Sequence, residues 1–315
     1  MIAMYKSKFR GENMKKGIKI TAVLLLSCLF TQVFSIDVYG YSNSKNSSYS
    51  YNNNKRSDDK NFRVNARCAI ALDKDTHEVL YEQNAYEIVP MASTTKILTS
   101  LIAIEQDDLN VPVKISKKAA SIRGSKVGYK ENEEITLKEL IFGLMFKSGN
   151  DAAIAIAEHI GGSIEGFADI MNHYARSIGI LDSHFESPHG LDSSEHYSSA
   201  YDLAILTCKG MDYDLFREVV GSKSISKDKY NFTRDYNNIN KILWKIPGAN
   251  GVKTGYTGQA GKCLVSSVNN NGKDIIIVVL NCPDRWNVTD KIYQHVQETV
   301  AFESHNVKDL VLNNQ

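Results

Sequence analysis

Apolar segments typical of β-strands lie toward both ends of residues 62–303 in this chain, and segments with a helical pattern fill the middle. "RCAIALD" and "EVLYEQN" flank "KDTH" and predict an N-terminal β-hairpin. "GKCLVSSV" and "IIIVVLNC" flank Asn271-Gly272, a dipeptide that favours tight turns, and predict a second hairpin. One antiparallel sheet, built from both ends of the chain and packed with helices, accommodates these strands most economically. We therefore expect a mixed α/β (α+β) fold.

The central segments carry the end signals of helices. In "TTKILTSLIAIEQ" the apolar residues at positions 97, 98, 101, 102 and 104 form a helical stripe. Thr136 is followed three residues later by Glu139, which suggests a capping box, and Gly161-Gly162 suggests a helix end. A last amphipathic helix is expected over about residues 287–302. The candidate N-caps are Ser93, Thr136, Ser163 and Ser199.

The N-terminus has the composition of a targeting segment. Six basic residues fall within the first 40 positions and precede the apolar segment 20–34. A basic head followed by an apolar segment shorter than the ~20 residues of a membrane span is typical of a secretory signal. We expect residues 1–40 to be a signal peptide that starts at Met1 or Met14 and is cleaved after Ser35 or Gly40. A retained N-terminal anchor is the alternative.

The remaining chain divides by composition. Residues 41–61 are rich in Ser, Asn, Tyr and Lys and lack aliphatic residues, which predicts a disordered polar linker. A folded domain is expected over residues 62–303, followed by a short tail at residues 304–315 and no further β domain. The formal net charge of +1 gives no reason to expect a nucleic-acid partner.

The cysteines and histidines do not suggest a metal site. The spacings of Cys68, Cys208, Cys263 and Cys282 match no metal-binding pattern, and the eight histidines are scattered. No metal or cofactor is therefore expected. The cysteines are interpreted as small buried apolar residues, although export would also permit disulfides.

Three short polar motifs are candidates for chemistry. S-x-x-K occurs five times, but only the copy at Ser93 and Lys96 opens an apolar helix. Alone, this copy is better explained by a helix cap with a solvent-exposed lysine than by a nucleophile and its base. Ser148-Gly149-Asn150 lies between two predicted helices, and Lys253-Thr254-Gly255 leads into the C-terminal hairpin. Alone, these two motifs suggest a plain turn and a glycine-rich strand entry. Together, in the order S-x-x-K, S-x-N, K-T-G, the motifs indicate an active-site-serine enzyme.

The chain resembles a known family beyond these motifs. "MASTTKILTS", "SGNDAA", "SPHGLDSSEHYSSAYDLAIL" and "IPGANGVKTGYTGQAGKCLV" are similar to blocks of the low-molecular-weight penicillin-binding proteins, the D-alanyl-D-alanine carboxypeptidases of serine peptidase family S11. The likeness runs from about Val64 to Asp284. It implies the fold of serine β-lactamases and D,D-peptidases, and a catalytic domain at residues 62–303. It also implies a penicillin-sensitive carboxypeptidase in cell wall biogenesis, exported and associated with the wall.

The resemblance also implies roles for the residues of the first two motifs. Ser93 is expected to attack the penultimate D-Ala carbonyl of a peptidoglycan pentapeptide and to form an acyl-enzyme, which β-lactams would form as inhibitors. Lys96 would be the base, provided that burial and a nearby cation keep it neutral. Ser148 would bridge Lys96 and Lys253, and Asn150 would hold the substrate amide.

The third motif is expected to bind the substrate. Lys253 and Thr254 would hold the terminal carboxylate, and Gly255 would let the ligand lie against the strand edge. The backbone N–H groups of Ser93 and Tyr256 would form the oxyanion hole.

Several alternatives remain open from the sequence. A serine β-lactamase carries the same three motifs, but Gly149 replaces the Asp that class A enzymes have at that place, and no E-x-x-L-N-like segment follows. A D,D-endopeptidase would use the same residues, and the third alternative is a non-catalytic penicillin-binding sensor or inactive wall-binding module. A Ser-His-Asp triad with His189 and Asp192 is a weaker rival, because residues so close in a Gly-containing turn usually organise a loop. Membrane contact is expected only if the N-terminal segment is retained.

Overall fold

The computed structural model describes residues 62–106 and 108–299. The predicted signal peptide, polar linker and C-terminal tail lie outside these residues. No helix of the described ranges has both the length and the apolar character that a membrane crossing needs.

A five-stranded antiparallel sheet is built from both ends of the described chain, as predicted. Its strand order is β2-β1-β9-β8-β7, and two short ribbons, β3-β4 and β5-β6, lie apart from it. The strands are β1 (Cys68–Asp73), β2 (Val79–Gln83), β3 (Pro112–Lys114), β4 (Glu134–Thr136), β5 (Ser224–Ile225), β6 (Tyr236–Asn237), β7 (Ala249–Thr257), β8 (Gly261–Asn270) and β9 (Lys273–Leu280).

Both predicted hairpins are confirmed. β1 pairs with β2, and β8 pairs with β9 through Asn271 and Gly272, which both have positive φ angles (52° and 88°). Two consecutive positive φ angles are the mark of the tight turn that matches strand twist. β1 also pairs with β9, with Cys68 opposite Leu280, and this pairing joins the two ends of the described chain in one sheet.

Helices cover both faces of the sheet. A 3-10 turn at Ala92–Thr95 leads into the first helix, and a second 3-10 turn lies at Lys227–Lys229. The α-helices are α1 (Lys96–Ile104), α2 (Lys117–Ser121), α3 (Leu137–Phe146), α4 (Asn150–Gly161), α5 (Ile164–Ser177), α6 (Ala200–Met211), α7 (Asp214–Gly221), α8 (Ile242–Lys245) and α9 (Arg285–Thr299).

The helix ends follow the predicted signals with two corrections. Ser163 and Ser199 accept hydrogen bonds from the N–H groups of Gly166 (2.9 Å) and Asp202 (3.0 Å), and α4 ends at Gly162 with φ 71°.

Thr136 likewise accepts from the Glu139 N–H, but the Glu139 side chain does not return to Thr136. It accepts hydrogen bonds from Thr233 and Tyr236 instead, so the capping box is half formed. The prediction that Ser93 caps α1 is wrong, as the site geometry explains.

The sheet separates two apolar layers. The larger layer packs one face against α1, α3, α4 and α6, and α1 is buried on every side. The smaller layer packs the other face against α8 and α9. The four cysteines of the described residues are buried, unpaired thiols, as expected for small apolar side chains. Burial raises the pKa of the Cys263 thiol to about 11.

Candidate active site

Ser93 lies inside the 3-10 turn rather than at the cap of α1. The cap position belongs to Thr95, which makes no side-chain cap bond, and the Ser93 carbonyl already accepts the N–H of Lys96. The chain is therefore coiled one turn earlier than the sequence pattern suggests. The Ser93 hydroxyl is left free of the helix backbone and contacts Lys96 instead.

Lys96 is fully buried beneath Ser93. Its Nζ lies 2.9 Å from Ser93 Oγ, 2.8 Å from Asn150 Oδ1 and 2.6 Å from the His189 carbonyl oxygen. A neutral amine can satisfy this set by donating to the amide and carbonyl oxygens and accepting the Ser93 hydroxyl proton. The alternative of a solvent-exposed lysine is excluded.

Burial is the main cause that lowers the pKa of Lys96 well below its ordinary value. The Lys253 charge lowers it further, and the Asp151 carboxylate acts in the opposite direction. Burial, followed by the Arg285 charge, lowers the pKa of Lys253 to about 7. The site thus disfavours two protonated lysines at the same time.

Ser148 lies at the corner between α3 and α4 with a positive φ of 56°. Its Oγ accepts a hydrogen bond of 3.0 Å from Lys253 Nζ, which also donates to the Thr254 carbonyl. The hydrogen bonds of Lys96 go to three other groups. Ser148 therefore contacts Lys253, and its role as a bridge between Lys253 and Lys96 stays a prediction.

Asn150 opens α4 and is held at both ends of its amide. Oδ1 accepts from Lys96, and Nδ2 donates to the Arg123 carbonyl at 2.8 Å. The close approach of this loop requires Gly124, because a Cβ there would lie 2.8 Å from Asn150 Nδ2. Asn150 orients Lys96 in this structure, and its predicted contact with a substrate amide stays a prediction.

The K-T-G motif lies on β7, as predicted, beside the Ser93 turn. A Cβ on Gly255 would lie 3.1 Å from the Ser93 backbone nitrogen. The missing side chain of Gly255 therefore lets β7 approach the turn that carries Ser93. The sequence had suggested a different reason for a glycine here, namely room for a ligand. Thr254 is buried, and Tyr256 is 68% exposed. Arg285 holds this strand from α9 by donating to the Gly255 carbonyl at 2.6 Å.

The triad alternative is not supported. His189 presents its backbone carbonyl, not its ring, to Ser93 and Lys96. Its Nδ1 accepts the Leu191 N–H at 3.2 Å, and Asp192 accepts the Gln259 N–H at 3.2 Å. Both side chains therefore organise the loop, as the turn composition suggested. Burial, and secondarily Lys96, lowers the pKa of the His189 imidazole to about 3.

Two features of the site were not predicted from the sequence. The His189 carbonyl contacts Lys96, but a backbone group leaves no residue-type signal. Asp151 is fully buried, and its carboxylate accepts from the N–H groups of Val127 (3.0 Å), Gly128 (2.8 Å) and Tyr129 (3.2 Å). It thereby fixes the loop whose Arg123 carbonyl holds Asn150. An acidic residue next to Asn150 was the available signal for this role.

The glycine in the loop after His189 yields a prediction on packing. Gly190 has φ 78°, and a Cβ there would lie well inside contact distance of the Ala92 carbonyl oxygen and 2.5 Å from Thr95 Oγ1. We expect Gly190→Ala to lower the free energy of unfolding by about 2–4 kcal/mol, because strain and overpacking add. Chemical denaturation measures this change. Gly272→Ala is the matched control, since Gly272 also has positive φ but open space around it. Equal losses in the two variants would contradict the packing argument.

No group of three or more potential metal ligands is clustered in residues 62–106 and 108–299. The polar side chains of the site instead contact one another and the backbone.

Solved structures with this fold confirm the predicted fold class. The Streptomyces K15 DD-transpeptidase is 28% identical with a TM-score of 0.71, over 75% of this chain and 98% of that one. The D-alanyl-D-alanine carboxypeptidase from Mycobacterium tuberculosis is also 28% identical with a TM-score of 0.71, over 77% and 94%. This fold, with a lysine hydrogen-bonded to a serine at the start of a buried helix, defines the class of active-site-serine enzymes that includes penicillin-binding proteins and serine β-lactamases.

Sequence comparisons narrow the class to a family. The family model described as D-alanyl-D-alanine carboxypeptidase, peptidase family S11, matches residues 53–284. The D-alanyl-D-alanine carboxypeptidase DacF of Bacillus subtilis is 37% identical over 68% of this chain, and DacC of Escherichia coli is 35% identical over 73%. The chain therefore belongs to the S11 family of D-alanyl-D-alanine carboxypeptidases. It spans 57% and 60% of the length of these two relatives.

Proposed function

We propose that this protein is a penicillin-sensitive serine D,D-carboxypeptidase that removes the terminal D-Ala from peptidoglycan stem peptides. The observation that carries the proposal is the buried Lys96 Nζ at 2.9 Å from Ser93 Oγ. Family membership supplies the substrate class. No cofactor or metal is needed for the reaction, because the amine and hydroxyl provide the base and the nucleophile.

In the acylation step, neutral Lys96 takes the proton of Ser93 Oγ, and the oxygen attacks the carbonyl carbon of the penultimate D-Ala. The backbone N–H groups of Ser93 and Tyr256 are proposed to stabilise the oxyanion. The C–N bond breaks, the proton passes to the leaving amine, and free D-Ala departs. Water then attacks the ester carbonyl and gives a proton to Lys96. Lys96 passes this proton to Ser93 Oγ as the ester C–O bond breaks, and the shortened peptide departs as its carboxylic acid.

Lys253 and Thr254 are proposed to bind the terminal carboxylate. Lys253 has a pKa of about 7 in the unliganded site, so its charge is readily lost there. An arriving carboxylate favours the protonated form and forms a charge-assisted hydrogen bond. This arrangement explains a preference for peptides that end in a free carboxylate.

The direct test is release of D-Ala from diacetyl-Lys-D-Ala-D-Ala, with Ser93→Ala run beside the wild type. We expect release by the wild type, loss of release in Ser93→Ala, and acylation of the wild type at Ser93 by labelled penicillin. Steady penicillin hydrolysis without D-Ala release would support a β-lactamase instead. Failure of labelled penicillin to acylate the wild type, with the same result in Ser93→Ala, would support an inactive wall-binding module. Acylation by penicillin without D-Ala release or penicillin hydrolysis would support the non-catalytic sensor.

The D,D-endopeptidase alternative uses the same residues and differs in the bond that it cleaves. A digest of cross-linked muropeptides, analysed by mass spectrometry, distinguishes cross-link cleavage from loss of terminal D-Ala. We propose the carboxypeptidase because the curated relatives that the chain matches are D-alanyl-D-alanine carboxypeptidases.

Export and domain organisation are part of the proposal. Residues 1–40 are proposed as the signal peptide, residues 41–61 as a linker and residues 62–303 as the catalytic domain, acting outside the cytoplasm at the wall. The basic head and short apolar segment of the sequence support this arrangement. N-terminal sequencing of the protein recovered from producing cells tests this arrangement. If residues 20–34 are still present, the result would instead support an anchor and membrane contact.

The two lysines predict a bell-shaped pH dependence of kcat/KM. Below the lowered pKa of Lys96 the amine is protonated and cannot accept the Ser93 proton, so the rate falls toward acid. Above the Lys253 pKa of about 7 the carboxylate loses its charged partner, so the rate also falls toward alkali. Measuring kcat/KM for D-Ala release as a function of pH gives both the acid and the alkaline limb of the profile.

Lys253→Arg provides the control for this assignment. Arginine keeps its charge at every accessible pH. The variant is therefore expected to retain the acid limb and lose the alkaline limb. An alkaline limb that is unchanged in Lys253→Arg would contradict the assignment to Lys253.

A further inference from the structure

The residue before the nucleophile has an unusual backbone conformation. Ala92 is buried and has φ 52°, a left-handed value that costs energy for any residue with a Cβ. Such a conformation persists only when its surroundings impose it. Because Ala92 directly precedes Ser93, whatever holds Ala92 also sets where Ser93 Oγ points.

Thr95 holds the Ala92 carbonyl. Thr95 Oγ1 donates its proton to Ala92 O at 2.8 Å, and it lies 2.8 Å from His196 Nε2. A hydroxyl has one proton, so the second contact must be accepted, and the proton of that contact belongs to His196 Nε2. The three groups form a chain from His196 through Thr95 to the Ala92 carbonyl.

The other side of the His196 ring fixes the same tautomer. Nδ1 accepts the Glu186 backbone N–H at 3.0 Å, and this leaves the ring proton on Nε2. His196 and Thr95 are both buried. Burial is the first cause that lowers the pKa of His196 to about 4, so the ring is neutral at ordinary pH. The charged or titratable groups that act on it are Glu186, His184, Lys96 and Asp192.

Gly190 packs against the same part of the turn. The absence of a side chain there lets the loop backbone pack directly on the Ala92 carbonyl and Thr95 Oγ1. The carbonyl is thus held by one hydrogen bond and by close packing. Neither His196 nor Thr95 reaches the Ser93 hydroxyl, which contacts Lys96 and the His189 carbonyl.

We propose that His196 and Thr95 are positioning residues that hold the strained Ala92–Ser93 turn and thereby aim Ser93 Oγ at Lys96. The inference rests on the proposed function, since it concerns the rate at which Ser93 is acylated. It assigns a task to a histidine that the reaction steps do not use.

The test measures acylation by fluorescent penicillin in stopped flow, which separates the dissociation constant of the initial complex from the acylation rate constant. Thr95→Val removes the hydroxyl at constant shape, and His196→Asn keeps an acceptor near the Nδ1 position but loses the donor. We expect both to lower the acylation rate constant by about tenfold or more, because small misplacements of a reacting group have large rate effects. The dissociation constant is expected to change by less than about threefold, because neither side chain reaches the reacting groups.

Two conservative variants are the matched controls. Thr95→Ser keeps the hydroxyl, and His196→Gln places an amide donor near the Nε2 position. Both are expected to acylate within about threefold of the wild-type rate constant, since the chain to Ala92 O is retained. The ¹⁵N spectrum of His196 gives an independent readout and is expected to show the Nε2–H tautomer.

Three results would overturn the positioning role. These are a wild-type acylation rate constant in folded Thr95→Val, losses in all four variants that only follow their thermal stability, and an Nδ1–H tautomer of His196. Absence of acylation in the wild type is a different failure, because it contradicts the proposed function itself and with it any role in acylation.

Discussion

Lys96→Met is expected to reduce the acylation rate constant of Ser93 by about 10²–10⁴-fold, the usual contribution of a positioned base. The substitution keeps an unbranched side chain of similar length in a fully buried position and removes the amine that lies 2.9 Å from Ser93 Oγ. Without this amine the remaining partner of the Ser93 hydroxyl is the His189 carbonyl oxygen at 3.5 Å, which is too weak a base to take its proton. The measurement is the rate of labelling by fluorescent penicillin, supported by D-Ala release.

Lys253→Met is the matched comparison, because it removes the second buried amine and leaves the Ser93–Lys96 contact in place. We expect it to raise KM for carboxylate-terminated peptides more than it lowers the acylation rate constant. Loss of the neighbouring charge also raises the pKa of Lys96, so the acid limb moves to higher pH. A Lys96→Met protein that is folded and acylated within tenfold of the wild type would contradict the assignment of Lys96 as the base.

Glu139→Ala is expected to lower the free energy of unfolding by about 2–4 kcal/mol, because buried donors would lose their acceptor. The Glu139 carboxylate is almost fully buried in α3. It accepts from the Thr233 N–H (2.9 Å), the Thr233 hydroxyl (2.6 Å) and the Tyr236 hydroxyl (2.8 Å). Tyr236 in turn contacts the Tyr129 hydroxyl at 2.8 Å. The network joins α3, the β5-β6 ribbon and the loop that Asp151 holds. Urea denaturation followed by circular dichroism measures the loss.

Glu133→Ala is the control for this network. Glu133 pairs with Arg234 at a partly exposed position, where an ion pair contributes about 0–1 kcal/mol. We expect its loss to be correspondingly small. If Glu139→Ala costs no more than Glu133→Ala, the buried network does not stabilise the fold as argued.

The sequence predicted the main sheet because its strands are long and bounded by clear turn signals. Asn271-Gly272 has a conformational preference that few other dipeptides share, and the β8–β9 hairpin followed from it. The ribbons β3-β4 and β5-β6 were not predicted, because two or three residues per strand leave no measurable periodicity. The predicted capping box forms only in part, because Thr233 binds the Glu139 carboxylate that would otherwise return to Thr136.

The candidate site could be predicted as far as side chains and motif order define it. Ser93 contacts Lys96, Ser148 contacts Lys253, and the Lys253 charge acts on Lys96. The exact setting of Ser93 could not be predicted, because the positive φ of Ala92 depends on Thr95 and Gly190 and not on its own residue type. The contact between Lys96 and the His189 carbonyl also depends on a loop that lies 93 residues away in sequence.

The buried thiols bear on how the stability of the protein responds to the redox potential of the medium. Cys68, Cys263 and Cys282 have no exposed surface, and burial raises the pKa of each, so the reactive thiolate is disfavoured. None of these thiols cross-links the fold. The part of the chain that the structure describes therefore holds no disulfide that a reductant could break. It is expected to have the same stability in a reducing cell extract and in an oxidising medium.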